Sequence, residues 1–193
     1  MTACYPTGTD PLGFLSSGAM TLLLGGPGTG KTCLALLAAA ELSRCGWSTV
    51  FVDIHGCVDP DLMLALGVPV GHEAFTHYQT QTLQEVKDVV TTSIDQRHFI
   101  VLDGVEAIED LKNPDSFIPR TLTMWTRLRA SNSTLLITVS SRDHPLALMR
   151  EASKMVQVGM NGSDRTRSYT TLKDKHGMNH SDQGTFTLPG VDP

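Results

Sequence analysis

The chain predicts an α/β fold: a mainly parallel sheet flanked by helices, with an antiparallel meander at its C-terminal end. Three observations carry this expectation. Short apolar runs alternate with helical patterns over most of the 193 residues, and strands separated by helices pair in parallel with helices over both faces. A glycine-rich loop, GGPGTGKT, stands between the first apolar run and the first helical one. Late in the chain, short β-prone runs follow one another, joined by Gly, Asn, Ser and Asp, the residues of hairpin turns.

Met20 to Leu24 (MTLLL) reads as a buried strand, and the helix after the loop runs from Lys31 to Cys45 and stops at Gly46, a residue able to take the positive φ that ends helices. Ser48 to Asp53 (STVFVD) is a second strand, Asp59 to Leu66 a short helix, Phe75 to Tyr78 a third strand and Leu83 to Ser93 another helix. Phe99 to Asp103 (FIVLD) is the fourth strand. A loop containing Pro and Asp leads to a helix near Thr121 to Ala130, a fifth strand at Thr134 to Val139 and a helix near Leu146 to Lys154. Met155 to Gly159, Ser168 to Lys173 and Thr185 to Leu188 form the meander. No repeat or low-complexity linker breaks this order, so residues 1–193 are expected to form a single domain.

Composition narrows the function. With 40% hydrophobic and 18% charged residues and no apolar run of membrane-spanning length, the chain is expected to be soluble and to have no membrane partner. Its start, MTACYPTGTD, lacks the basic and apolar segments of a signal peptide, so a cytoplasmic location with reduced cysteines is expected. Cys4, Cys33, Cys45 and Cys57 do not have the spacing of a metal pair. A net charge of −5 excludes a generally basic coat, so any nucleic-acid contact comes from a local patch. Arg142, Arg150, Lys154, Arg165, Arg167, Lys173 and Lys175 gather late in the chain. They read equally as such a patch or as a solvated mixed-charge surface.

Gly25-x-x-x-x-Gly30-Lys31-Thr32 satisfies the Walker A pattern directly after a strand and directly before a helix. Gly25, Gly26, Pro27, Gly28, Thr29 and Gly30 then form a loop whose backbone N–H groups turn inward on phosphates, at the positive end of the helix dipole. Lys31 reaches the β- and γ-phosphates and the Thr32 hydroxyl serves Mg²⁺, so ATP and Mg²⁺ are the expected ligands. Asp103, closing an apolar strand, is the expected carboxylate for that ion, its alternative being a helix cap. Glu106 follows in DGVE. It either polarises water, if the loop folds back, or sits exposed.

With both motifs placed, the chain resembles the RecA/KaiC branch of P-loop ATPases, in extent a minimal, phage-type RecA-like core. Thr7-Gly8-Thr9-Asp10 through Gly18 resembles that family's entry segment, and VFVDIHGCVDPDLMLALGV, Val50 to Val68, resembles the bacterial RecA segment after its second strand. SNSTLLITVSSR, Ser131 to Arg142, resembles the strand bearing the nucleotide-sensing residue, with Ser140-Ser141 where RecA-like proteins carry Asn-Gln. Leu172-Lys173-Asp174-Lys175 resembles a K-x-K element that enters a neighbouring subunit's ATP site.

The resemblance implies an ATPase in a bacterial or phage-infected cell that assembles, as filament or ring, on single-stranded DNA, with RNA as the alternative strand. It would promote recombination, repair or annealing. It also implies catalytic roles for Lys31, Asp103, Lys173 and Lys175, and for His55, which stands where RecA carries a water-activating glutamate. An imidazole takes a proton but lacks the carboxylate's charge, so slow hydrolysis is one reading and a loop histidine without chemistry the other. Met124, Trp125 and Arg127, and Arg142, His144 and Arg150, are candidates for DNA contact, though Trp125 fits an apolar helical pattern better. Two further readings of the core are a ring-forming helicase or packaging motor, and a weakly hydrolysing regulatory paralogue.

Overall fold

Along the fourth strand Phe99 and Val101 face one side and Ile100 and Leu102 the other, and all four are fully buried. A strand that looks apolar at every position is therefore one whose two faces are both covered. In the computed structural model, which describes residues 15, 18–94, 98–109, 117–131, 133–140, 146–160, 166–174 and 183–187, such strands form the centre of an eight-stranded sheet. Its members are β1 (Met20–Gly25), β2 (Ser48–Asp53), β3 (Phe75–Gln79), β4 (His98–Asp103), β5 (Thr134–Ser140), β6 (Lys154–Met160), β7 (Thr166–Asp174) and β8 (Gln183–Thr187).

The strands lie in the order β3-β2-β4-β5-β1-β6-β7-β8. From β3 to β6 all neighbours are parallel. The antiparallel meander begins where β6 meets β7 and continues to β8, with an irregularity of register between Met155 and Val156. The expected α/β architecture is thus present, with the first strand of the meander still parallel to β1. One expected boundary moves. The last helix, α6 (Leu146–Glu151), ends before Lys154, which instead opens β6 and is buried.

Two apolar layers enclose the sheet. On one face α1 (Lys31–Arg44) and α2 (Pro60–Ala65) pack with Leu23, Phe51, Phe99, Val101 and Leu136. On the other, α3 (Leu83–Ser93), the single turn α4 (Phe117–Arg120), α5 (Leu122–Ser131) and α6 cover Leu22, Val52, Ile100, Leu102 and Ile137. Local chemistry starts the helices. Asp59 caps α2 by accepting from the Leu62 amide at 2.7 Å, with Pro60 following it at the first helical turn, and Thr82 caps α3 through the Glu85 amide. Helix α1 carries Ala35, Ala38, Ala39 and Ala40, all fully buried, and short side chains let a helix lie close against a sheet.

The register aligns polar groups at one end of the sheet. Asp53 on β2 stands beside Asp103 on β4, Asp103 beside Thr138 on β5, and Ser140 on β5 beside Gly25 on β1. Four neighbouring strands therefore deliver a row of polar groups to their carboxyl ends, where an open parallel sheet binds ligands. Phe51, fully buried at the centre of the α1 face, tests the packing. Phe51→Ala should lower the unfolding free energy in urea by about 3–5 kcal/mol, the usual loss for an emptied aromatic core position.

Candidate functional site

The loop between β1 and α1 takes its shape from glycine. Gly28 and Gly30 have φ of 73° and 92°, a region that L side chains rarely adopt. At Gly25 the constraint is space, since a Cβ there would lie 2.6 Å from Thr29 Oγ1 and 2.7 Å from the Val158 carbonyl oxygen of β6. Thr29 closes the turn by donating to the Gly26 carbonyl at 2.9 Å. The N-terminus of the 14-residue helix α1 then points at the loop and lends it the positive end of the dipole.

Lys31 bends back over this loop and donates to the carbonyls of Gly25 at 2.9 Å and Gly26 at 3.1 Å. Burial pulls its ammonium below the usual lysine range, while the carboxylates of Glu106 and then Asp103 push it up. Thr32 donates to Asp103 Oδ2 at 2.8 Å. The other oxygen, Oδ1, accepts from Thr138 at 2.5 Å, and the Thr138 hydroxyl in turn accepts the Gly104 amide at 2.8 Å. Asp103 is 1% exposed, and its burial raises its pKa against the pull of these two hydroxyls.

These residues fit a phosphate chain with a divalent ion. Gly25 leaves the loop no room for a side chain, the Lys31 ammonium rests on carbonyls it can exchange for phosphate oxygens, and a hydroxyl and a carboxylate converge beside it. Thr32 and Asp103 would hold Mg²⁺. Sequence reasoning placed Lys31, Thr32 and Asp103 together and missed Thr138, whose role depends on the pairing of β4 with β5.

His55 joins this group from the loop after β2. Its ring packs on Gly104, at φ 83°, where a Cβ would lie 2.0 Å from His55 Cδ2. Its Nε2 stands 3.5 Å from Glu106 Oε1. Glu106 is not the exposed loop residue of one sequence reading: its side chain is 17% exposed and Oε1 accepts the Ser140 amide at 2.9 Å. Ser140 thus reaches the site through its backbone, whereas Ser141 lies outside the described residues.

Asp53, 0% exposed, organises the His55 loop from below by accepting the amides of Gly56 at 2.8 Å and Val58 at 2.9 Å. Burial raises its pKa, but the His77 imidazole and the amides of Val58, Cys57 and Gly56 outweigh it and hold the carboxyl below its ordinary value.

Other candidates fall elsewhere. Met124, Lys154 and Arg167 are buried, which removes Met124 from DNA stacking and the two cations from a surface patch. Arg127 and Arg150 are exposed. The backbone of Lys173 pairs with Met155, toward the amino end of β6, and its side chain lies outside the described residues. Lys175, Arg142, His144 and Arg165 lie outside the described residues, as does the side chain of Trp125.

The family described as ATPase family associated with various cellular activities (AAA) matches residues 21–159. The chain is also similar to Protein RecA of Salinispora tropica, 32% identical over 114 residues, which cover 55% of this chain and 32% of that protein. Protein RecA of Crocosphaera subtropica is 32% identical over 99 residues, 50% of this chain and 28% of its own, and that of Trichodesmium erythraeum is 33% identical over 97 residues, 50% and 27%. The matched stretch therefore spans about a third or less of each relative's length.

Because the folded pKa of Asp53 is depressed, its ionisation stabilises the fold above the unfolded carboxylate value of about 3.9 and ceases to do so as pH falls through the folded value. Asp53→Asn should cost about 1–3 kcal/mol at neutral pH, since the two backbone N–H groups bond different carboxylate oxygens and an amide turns an NH2 donor toward one of them. That gap should narrow when denaturant midpoints are compared at progressively lower pH below about 4.

Proposed function

Because the chain belongs to the ATPase family associated with various cellular activities (AAA) and is a RecA-like P-loop ATPase, we infer that it assembles on single-stranded DNA with ATP at its subunit junctions and promotes homologous recombination or annealing. The observation that carries the ATPase chemistry is the convergence of Lys31, Thr32 and Asp103 at the strand ends. The DNA reading rests on the similarity to Protein RecA together with the exposed Arg127 and Arg150.

In this reading the incoming phosphates displace the Gly25 and Gly26 carbonyls from Lys31, and the loop amides and helix dipole hold the remaining charge. Thr32 and Asp103 would hold Mg²⁺ there, which would supply charge neutralisation to the phosphates. Thr138 keeps the Asp103 carboxylate turned toward Thr32, so the ligand oxygens are placed before the ion arrives. Lys173 and Lys175 act on the phosphates of an adjacent subunit rather than their own. A weakly hydrolysing regulatory paralogue is the second reading, favoured by an imidazole at position 55.

Lys31→Ala should weaken binding of a fluorescent ATP analogue by about tenfold to a hundredfold, the loss of one charge-assisted contact, with the unfolding midpoint unchanged. Single strands should stimulate phosphate release in proportion to their length, and a flat response would favour the regulatory paralogue. Mixing Lys31→Ala subunits with Lys173→Ala/Lys175→Ala subunits, each inactive alone, should restore part of the turnover. If verified mixed assemblies stay inactive at every ratio, the lysines do not act across a junction.

A further inference from the structure

Glu106 is brought back over the strand ends by its backbone. Gly104 turns at φ 83°, the Ala107 amide bonds the Gly104 carbonyl at 2.9 Å to form a 3₁₀ turn over Val105–Ala107, and the Glu109 amide ties the segment's end to the Gln81 carbonyl at 3.0 Å. The two oxygens of the Glu106 carboxylate then differ. Oε1 accepts the Ser140 amide and faces His55 Nε2, while Oε2 is buried and accepts no hydrogen bond among the described residues. A buried acceptor left without a partner is costly and calls for a ligand. Glu106 and Asp103 both push the Lys31 ammonium up, Glu106 the more strongly.

We propose that Glu106, not His55, is the base for ATP hydrolysis, with Oε2 accepting the proton of the attacking water, and that His55 and the Ser140 amide are positioning groups that fix Oε1. The proposal rests on the ATPase reading of the site. The water oxygen forms its bond to the γ-phosphorus as the bond from that phosphorus to the β–γ bridging oxygen breaks, and ADP leaves with the electron pair. The water's proton passes to Oε2 and from there to solvent after the phosphate departs. His55 suits positioning because its Nε2 already faces Glu106 while its ring edge is packed on Gly104. The Ser140 amide gives the link a second use: Ser140 ends β5, so a shift of that strand end moves the base.

The test uses the full chain with MgATP and single-stranded DNA. Glu106→Gln keeps an oxygen for the Ser140 amide and should lower turnover by about a hundredfold or more while leaving affinity for a fluorescent ATP analogue within about twofold. Formate should restore part of the turnover of Glu106→Ala, a rescue that a structural role would not show. His55→Gln, which retains a donor toward Oε1, should keep turnover within about tenfold of the parent. His55→Glu should lower turnover by placing a second carboxylate against the first. Parental turnover in Glu106→Gln, or a rise in His55→Glu, overturns the proposal. A parent that binds no analogue and releases no phosphate overturns the ATPase reading itself, a result distinct from failure of the Glu106 assignment alone.

Discussion

A carboxylate taken out of water must find hydrogen bonds, and the centre of this structure is arranged about that requirement at Asp103. One oxygen accepts from Thr32 on the helix after the phosphate loop and the other from Thr138 on the neighbouring strand. The Thr138 hydroxyl donates its single hydrogen to Asp103, and one of its two lone pairs accepts the Gly104 amide. Three segments distant in sequence are thereby held to one group. Any displacement of β4 against β5 or of α1 against the sheet leaves a buried charge short of a partner, which is far more expensive than the bond is worth when made.

The same strand ends carry opposite charges in a confined space. Lys31 is drawn down by burial and pushed up by the carboxylates of Glu106 and then Asp103. Asp53, one strand further out, spends its oxygens on backbone amides, and its charge adds to burial in raising the Asp103 carboxyl's pKa. Two aspartates that stand side by side in register therefore do different work, one bound to the hydroxyls of Thr32 and Thr138 and one to the amides of its own loop.

Much of this was legible in the sequence because its determinants are local. A glycine loop between an apolar strand and a helix, an Asp closing FIVLD, and strands apolar on both faces need only nearest neighbours to be recognised. Thr138 and Glu106 were not legible in the same way. Thr138 matters because β5 pairs with β4 at that register, and Glu106 because a positive φ at Gly104 reverses the chain. Neither is visible in spacing along one strand. Charge misled as well: Lys154 and Arg167 look like surface residues in a list of cations, but each lies on a strand of the inner meander and is buried there. The span read as a helix to Lys154 failed for a related reason, since a strand that pairs with β1 overrode a short helical pattern.

Gly25 faces the Val158 carbonyl so closely that not even a methyl group fits between them. At this point the start of the phosphate loop rests directly on the main chain of β6, with the Thr29 hydroxyl on its other side. Strand β6 is in turn hydrogen-bonded along its other edge to β7, which leads outward to the end of the sheet. A displacement of that outer hairpin would therefore reach the phosphate loop through paired strands and one main-chain contact, with no side chain of residue 25 to take it up.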